Sequence, residues 1–180
     1  MDLGNYSWLT TIGTLPRMVS EALKIWGVEE KPGDQSNPVI LEWAQKVGGD
    51  VARDYKTDET PWCGLTMAYV AKQAGKTPPS KPLWARNWEY FGKDSKQPDL
   101  GDIIVFERGM KGHVGLYIGE DDTHLHILGG NQGDRVCIQR YGNSRKLAAQ
   151  KPLYMSEPAT ARPFFLHVDG SLISRPFAKV

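Results

Sequence analysis

Pro61-Trp62-Cys63-Gly64-Leu65 is the stretch of the sequence that decides the fold, together with Gly112-His113-Val114-Gly115. The first places a cysteine at a predicted helix start, and the second places a histidine at a predicted strand start. A thiol nucleophile needs a base that folding, rather than proximity in the sequence, brings to it. The first stretch lies in a half of the chain that is predicted to be helical, and the second in a half that is predicted to consist of strands.

The first half carries helix start and stop signals. Asn37 is a predicted N-cap with Pro38 at the first helical position, and Thr60-Pro61 repeats this arrangement. Gly27 and Gly48-Gly49 are predicted stops. The predicted helices run from Leu15 to Trp26, from Pro38 to Val47 and from Pro61 to about Ala74, and Trp84 to Phe91 is a shorter fourth candidate.

The second half carries short apolar or alternating runs separated by turn signals. Their spacing is typical of an antiparallel meander. Because helices come first and strands follow, the predicted class is α+β rather than alternating α/β. The predicted strands are residues 102–106, 113–118, 123–128 and 136–139.

Length and composition indicate one folded domain. The chain has 180 residues, of which 40% are hydrophobic and 24% charged. This length and composition are sufficient for one domain with a hydrophobic core. We expect a single domain over residues 1–156. Residues 157–180 read as an extended tail that packs on this domain or docks on a partner, because prolines interrupt them and Arg-Pro-Phe occurs twice, at 162–164 and 175–177.

Charge and hydropathy exclude several classes of partner. The formal net charge is +1, which gives no electrostatic reason to expect nucleic acid or an anionic membrane as a partner. No apolar run approaches the roughly 20 residues of a membrane span. The N-terminus lacks a basic region followed by an apolar stretch, so we expect no secretory signal. No phosphate-binding or dinucleotide-binding motif is present, and no cofactor is predicted.

Cys63 is the candidate nucleophile. If Thr60 caps the helix, the thiol lies in the first turn, where free N–H groups favour a thiolate and can also hold an oxyanion. The alternative is a plain core residue, since Cys63 shares an apolar stripe with Met67, Val70 and Ala74. Cys137 lies in a strand-like run and reads as a buried structural cysteine. The two cysteines could pair, but they do not form a disulfide framework.

His113 is the candidate base, and it needs a third group to orient it. Gly115 is predicted to leave the sheet face next to His113 open. If residues 113 and 126 are opposite each other in an antiparallel pair, His126 lies on the same face as His113. Asn131 is the other candidate, because its amide oxygen can accept from the imidazole, although turn chemistry also explains an asparagine after two glycines.

Metal binding is the competing use of the histidines. His124-Leu125-His126 gives two imidazoles on one face, and His113 could be a third ligand. No zinc motif such as HExxH is present, so no metal site is predicted.

Taken in order, these motifs resemble a known group of enzymes. The Trp-Cys helix start, Gly101-Asp102 before an apolar strand, the Gly-His-Val-Gly-Leu-Tyr strand from 112 to 117 and a polar residue one strand later resemble the CHAP and NlpC-type papain-like cysteine hydrolases of cell walls. Further motifs are similar to phage-encoded, endolysin-like members of that group: Asn37-Pro38, Pro61-Trp62-Cys63-Gly64, Ala85-Arg86-Asn87-Trp88 and Leu128-Gly129-Gly130-Asn131-Gln132. The resemblance covers roughly residues 14 to 155.

The resemblance implies a papain-like fold, with N-terminal helices packed on a C-terminal antiparallel sheet. It implies a bacteriolytic peptidoglycan hydrolase, either an N-acetylmuramoyl-L-alanine amidase or a stem-peptide endopeptidase. Cys63 is then the nucleophile and His113 the base, with Asn131 (CHAP-like) or His126 (NlpC-like) as the orienting residue. Such a protein is made in the bacterial cytoplasm and acts on the wall after release, or travels in a phage particle.

Two other functions stay open at this point. One is a catalytically silent phage structural or binding protein on the same fold, with the C-terminal tail as a contact for a particle or partner. The other is acyl transfer to an acceptor other than water.

Overall fold

A computed structural model gives the structure of residues 2–33 and 35–173. Over these ranges the fold is α+β, as predicted, with helices in the first part of the chain and a six-stranded antiparallel sheet in the second. Helices α1 to α4 span Arg17–Leu23, Pro38–Val47, Gly49–Asp54 and Cys63–Gln73. Strands β1 to β6 span Lys93–Asp94, Ile103–Phe106, His113–Glu120, His124–Gly129, Cys137–Gly142 and Lys146–Lys151. Shorter 3-10 segments span Gly4–Thr10, Ala85–Tyr90 and Asn143–Arg145.

The start of α2 follows the predicted signals. The side chain of Asn37 accepts a hydrogen bond from the N–H of Val39 at 2.9 Å, and Pro38 is the first helical residue. Gly48, at φ +79°, ends the helix, because this backbone conformation suits glycine. Gly48 separates α2 from a further short helix, α3, which the sequence did not predict.

The start of α4 differs from the prediction. Cys63 is the first helical residue, Trp62 precedes the helix, and no side chain caps it. The expected cap by Thr60 is therefore wrong. The Trp62 carbonyl instead accepts from the N–H of Thr66 at 2.9 Å and from its hydroxyl at 2.8 Å, which places the first turn two residues later.

The sheet has the strand order β1-β6-β2-β3-β4-β5. The part from β2 to β5 is the predicted meander. The sequence did not predict β6, which returns to pair with β2 on its free side. Its residues, Lys-Leu-Ala-Ala-Gln-Lys, include neither β-branched nor aromatic side chains, so local propensity does not indicate a strand there.

The helices cover one face of the sheet, and a smaller cluster lies on the other. The helix-side core includes Val114, Leu116 and Leu128, together with the buried residues of α4. The second face carries a separate cluster made of Ile104, Phe106, Tyr117, Leu125, Ile127 and Ala149, with Tyr141 packed against it. Alternate residues of β3 and β4 therefore point to different cores, as the pleat requires.

The chain from residue 157 to 173 lies against the domain. Phe164 and Leu166 are buried, and Phe164 packs on Trp8 at a ring separation of 5.0 Å. The N–H of Glu120, at the end of β3, donates to the Phe164 carbonyl, and the N–H of Leu166 donates to the Glu120 carbonyl. The second Arg-Pro-Phe, at 175–177, lies outside the described residues.

In the described part of the chain, no helix has the length and apolar character needed to cross a membrane.

Candidate active site

The thiol of Cys63 lies where α4 meets β3. Cys63 is the first residue of α4, and the N–H groups of Val114 and Gly64 stabilise its thiolate form. Val114 directly follows His113, so the helix start and the strand start meet at the thiol. The side chain is buried, with 5% of the residue exposed.

The imidazole of His113 is held between the second-face cluster and a buried amide. Its ring stacks on Tyr141 at 4.9 Å and lies 6.5 Å from Phe106, the residue paired with it on β2. Nε2 of His113 is 2.9 Å from Oε1 of Gln132. Nδ1 is buried and has no hydrogen-bond partner among the described residues.

The hydrogen bonds of Gln132 determine which nitrogen of His113 carries the proton. The Gln132 amide nitrogen donates to the carbonyls of Ile127 at 3.0 Å and Cys137 at 2.6 Å. Its oxygen must therefore face His113, and an amide oxygen can only accept. Nε2 of His113 carries the hydrogen, and Nδ1 presents a free lone pair. A general base needs this tautomer.

The turn that carries Gln132 is closely packed. A side chain at Gly130 would overlap the hydroxyl of Thr66 and come within 2.7 Å of the Trp62 ring. A side chain at Gly129 would come within 3.1 Å of Oε1 of Gln132. The two glycines thus allow the turn to approach α4 while Gln132, at 1% exposure, enters the core.

Asn131 does not contact His113. Its backbone is left-handed, with φ +56°, a conformation that asparagine tolerates in turns. Its amide nitrogen instead donates to Glu30 at 3.3 Å. The side chain that contacts the imidazole is that of Gln132, the next residue, and not that of Asn131.

His126 does not lie opposite His113, and the register expected from the sequence is wrong. His126 pairs with Gly119, across an irregularity between Tyr117 and Gly119. The residues on either side of His126, Leu125 and Ile127, belong to the second-face cluster, so His126 itself points away from that face. Phe106, which lies beside His113, belongs to the same second-face cluster. His126 therefore points to the helix-side face, opposite to His113.

His126 belongs to a separate polar network at the other end of β3. Nε2 lies 3.0 Å from a carboxylate oxygen of Asp121, and Nδ1 lies 2.6 Å from the hydroxyl of Tyr6. Arg140 donates to the same oxygen of Asp121 at 2.7 Å. Although burial acts to raise the pKa of Asp121, the hydrogen bonds from Arg140, Thr123 and His126 hold it well below its usual range.

Burial sets the charge state of the candidate pair. Burial lowers the pKa of His113 to about 4, although the hydrogen bond that His113 donates to Gln132 acts to raise it, and the charges of Arg108 and Arg145 lower it further. Burial also raises the pKa of Cys63, although the N–H groups of Val114 and Gly64 favour the thiolate. Both shifts favour the neutral forms of the pair, a thiol on Cys63 and an imidazole on His113.

Gly115 does not leave an open space beside His113. A Cβ at this position would lie 2.5 Å from Cγ2 of Ile127 and 2.9 Å from the carbonyl of Leu128. The neighbouring strand β4 fills the space, so the expectation of an open face is wrong. Gly115 serves the close approach of β3 and β4 instead.

Cys63 and Cys137 are both free thiols. Cys137 is half-buried at the start of β5, and its thiol donates to the Gln132 carbonyl at 3.2 Å. Cys137 thus supports the turn that holds Gln132 through both its side chain and its backbone carbonyl.

Within residues 2–33 and 35–173, no group of three or more histidine, cysteine, aspartate or glutamate side chains is arranged to hold a metal ion. A groove of about 750 Å³ runs between α3 and the segment from Thr77 to Trp84. This segment touches the candidate site, because the carbonyls of Pro82 and Leu83 lie against Gly64, next to Cys63. Trp84, at 61% exposure, is part of the groove wall.

Sequence reasoning missed Gln132, although one signal pointed to it. Turn chemistry is enough to explain Asn131. It does not explain a second amide side chain, Gln132, directly after it. A buried glutamine needs partners for its oxygen and its nitrogen, and His113 and two backbone carbonyls supply them.

A scan of the sequence against protein-family models and a search of curated proteins found no match.

Proposed function

We propose that this protein is a papain-like cysteine hydrolase that cleaves an amide bond in the peptide part of bacterial peptidoglycan. Cys63 is the nucleophile, His113 the base, and Gln132 the residue that orients His113. The proposed reaction is inferred from the arrangement of the side chains of these residues. The substrate rests on the resemblance of the ordered motifs to the CHAP and NlpC-type enzymes.

The observation that carries this proposal is the buried lone pair on Nδ1 of His113. An unpaired buried nitrogen costs free energy, and a catalytic role is one explanation for keeping it. Gln132 holds the opposite nitrogen at 2.9 Å, and the thiol of Cys63 lies beside the following residue, Val114. What supports the proposal is a base held in one tautomer, one residue before the backbone N–H that contacts a thiol at a helix start. Thiol-based acyl transfer also requires the thiol to reach the lone pair on Nδ1, which no contact among the described residues provides in this resting structure.

In the proposed reaction the first half starts from a neutral thiol and a neutral imidazole. Nδ1 of His113 takes the proton of the Cys63 thiol as the sulfur attacks the amide carbonyl carbon. The N–H groups of Cys63 and Gly64, which favour negative charge on the sulfur, are the proposed donors to the oxyanion. The carbon–nitrogen bond then breaks, and the proton on Nδ1 passes to the leaving amine.

The second half releases the acyl group. His113 is neutral again and takes a proton from water, which attacks the thioester carbon. The carbon–sulfur bond breaks, and the proton returns to the sulfur of Cys63. The products are a free amine and a free carboxylic acid, and one water molecule is consumed.

Clearing of purified peptidoglycan tests this function. The wild-type protein is expected to reduce the turbidity of the suspension, and the Cys63→Ala variant is expected to leave it intact. Cys137→Ser is the matched control, because it changes the other thiol and keeps a hydroxyl donor for Gln132. A Cys63→Ala protein that clears peptidoglycan at the wild-type rate contradicts the proposal.

One observation favours a second candidate, a catalytically silent phage protein that binds a partner on the same fold. Cys63 is 5% exposed and His113 is fully buried, so a substrate reaches them only after a local rearrangement. Thiol titration separates the two functions. A Cys63 that reacts with iodoacetamide in the folded protein supports the hydrolase, and one that reacts only after unfolding supports the binding protein.

The site of action follows from the same proposal. The enzyme meets its substrate in the cell wall, after lysis or as part of a particle. Its partner is peptidoglycan, and the segment after residue 157 is a possible contact for a particle.

A further inference from the structure

Glu30 joins the two segments that carry the candidate nucleophile and the residue that orients its base. Oε2 of Glu30 accepts a hydrogen bond from the indole N–H of Trp62 at 2.8 Å and another from the amide nitrogen of Asn131 at 3.3 Å. Trp62 directly precedes Cys63, and Asn131 directly precedes Gln132. One carboxylate oxygen thus connects the start of α4 to the turn after β4.

The backbone around Glu30 is itself held against that turn. The N–H of Glu30 donates to the carbonyl of Asp134 at 2.8 Å. The N–H of Val136 donates to the carbonyl of Val28, also at 2.8 Å. The carboxylate is therefore presented from a fixed piece of chain, and a side chain on a fixed backbone loses less conformational entropy when it forms its hydrogen bonds.

The tethered indole is part of the same packing. Trp62 is fully buried, and its ring lies so close to Gly130 that a Cβ there would come within 2.7 Å. A shift of the indole therefore moves either the start of α4 or the turn that carries Gln132. Since Trp62 packs against this turn and also donates to Glu30, the position of the ring sets the spacing of the two segments.

We propose that Glu30 is a positioning residue that sets the spacing between the thiol of Cys63 and the His113–Gln132 pair. It acts through Trp62 and Asn131, which accept no proton in the reaction and to which its carboxylate is hydrogen-bonded. The necessary property is a hydrogen-bond acceptor at Oε2 rather than the negative charge. The inference rests on the proposed hydrolase function, which it deepens.

Four variants test these properties. Glu30→Ala removes the acceptor, and Glu30→Gln keeps an acceptor oxygen while removing the charge. Glu29→Ala is the matched control, because the neighbouring carboxylate is 58% exposed and pairs with Arg135 at 3.5 Å. Trp62→Phe keeps an aromatic ring and removes the N–H donor, so it tests the same contact if Glu30→Ala does not fold.

The test combines two readouts in a Cys137→Ser background, which leaves Cys63 as the one thiol. The first is the rate of Cys63 alkylation by iodoacetamide as a function of pH, at temperatures below the melting transition of each variant. The second is kcat and KM on purified peptidoglycan. Glu30→Ala and Trp62→Phe are expected to lower kcat and the alkylation rate about tenfold or more, with a smaller change in KM. Glu30→Gln is expected to stay within about threefold of the parent protein, and Glu29→Ala to match it.

Two results overturn the inference. One is a wild-type alkylation profile and kcat in Glu30→Ala. The other is a loss in Glu30→Gln as large as that in Glu30→Ala, which assigns the effect to the charge. Because alkylation reports on Cys63 without any substrate, a protein that cleaves no peptidoglycan contradicts the proposed function while the alkylation comparison still decides the role of Glu30.

Discussion

Oε1 of Gln132 lies 2.9 Å from Nε2 of His113, and the amide nitrogen of Gln132 is already committed to two backbone carbonyls. The amide cannot turn over without losing these bonds. His113 is therefore held as one tautomer, with its free lone pair on Nδ1. This contact therefore fixes the orientation of the candidate base.

Replacing Gln132 by Ala is expected to lower kcat about tenfold to a hundredfold, because the imidazole loses its fixed tautomer and orientation. His126→Gln is the matched control, since His126 faces the other side of the sheet. Kinetics on purified peptidoglycan check this prediction. If His126→Gln lowers kcat as much as Gln132→Ala while both proteins remain folded, the assignment of Gln132 is wrong.

The pH dependence of the reaction is expected to extend well into the acid range. His113 must be neutral to act as a base, and burial lowers its pKa to about 4. The acid limb of kcat/KM is therefore expected to have a midpoint near pH 4, with activity retained above it and lost as the pH falls through it. A midpoint near the ordinary histidine value of about 6.5 would show that the base is solvated during catalysis. Circular dichroism at each pH separates this effect from unfolding.

The contact between the Gln132 turn and α4 is expected to be intolerant of added volume. Gly130→Ala places a methyl group against Thr66 and the Trp62 ring, and we expect it to lower the free energy of unfolding by about 1–3 kcal/mol. Gly142→Ala is the control, because its nearest atoms would be 3.9 Å and 4.0 Å away. Urea unfolding measures both. Equal stability of the two variants contradicts the close packing described for this turn.

The network around Asp121 is expected to contribute stability and not catalysis. Asp121→Ala removes the acceptor of Arg140 and His126, and the side chain it replaces is 5% exposed. We expect a loss of about 3 kcal/mol in the free energy of unfolding. Alkylation of Cys63 should be unchanged in the folded variant. The neighbouring Asp122→Ala, at an exposed position, should change neither quantity. Slower alkylation in folded Asp121→Ala would connect this network to the candidate site.

The sequence predicts the fold class because its signals are local. Asn37 and Pro38 start a helix through their own backbone and side-chain chemistry, and the apolar runs of β2 and β3 indicate strands without knowledge of their partners. Strand β6 lacks such a signal, because Lys, Ala and Gln have little strand preference, and it forms through pairing with β2.

The third residue of the candidate site depends on geometry that is not local. The predicted pairing of His113 with His126 assumed that the turn between β3 and β4 spans Gly119 to Asp122. In the structure the side chain of Asp121 accepts from the N–H groups of Thr123 and His124, and the turn forms around it. This shifts the register of β3 and β4. Likewise, the left-handed backbone at Asn131 turns that side chain towards Glu30 and leaves Gln132 to enter the core.

Mass spectrometry of a defined peptidoglycan digest tests the central claim most directly. The wild-type protein is expected to release fragments with a new free amine and a new carboxylic acid at one amide bond, and the Cys63→Ala protein is expected to release none. The position of that bond distinguishes an amidase from a stem-peptide endopeptidase. Intact peptidoglycan after treatment with the wild-type protein, or the same fragments from Cys63→Ala, would contradict the account.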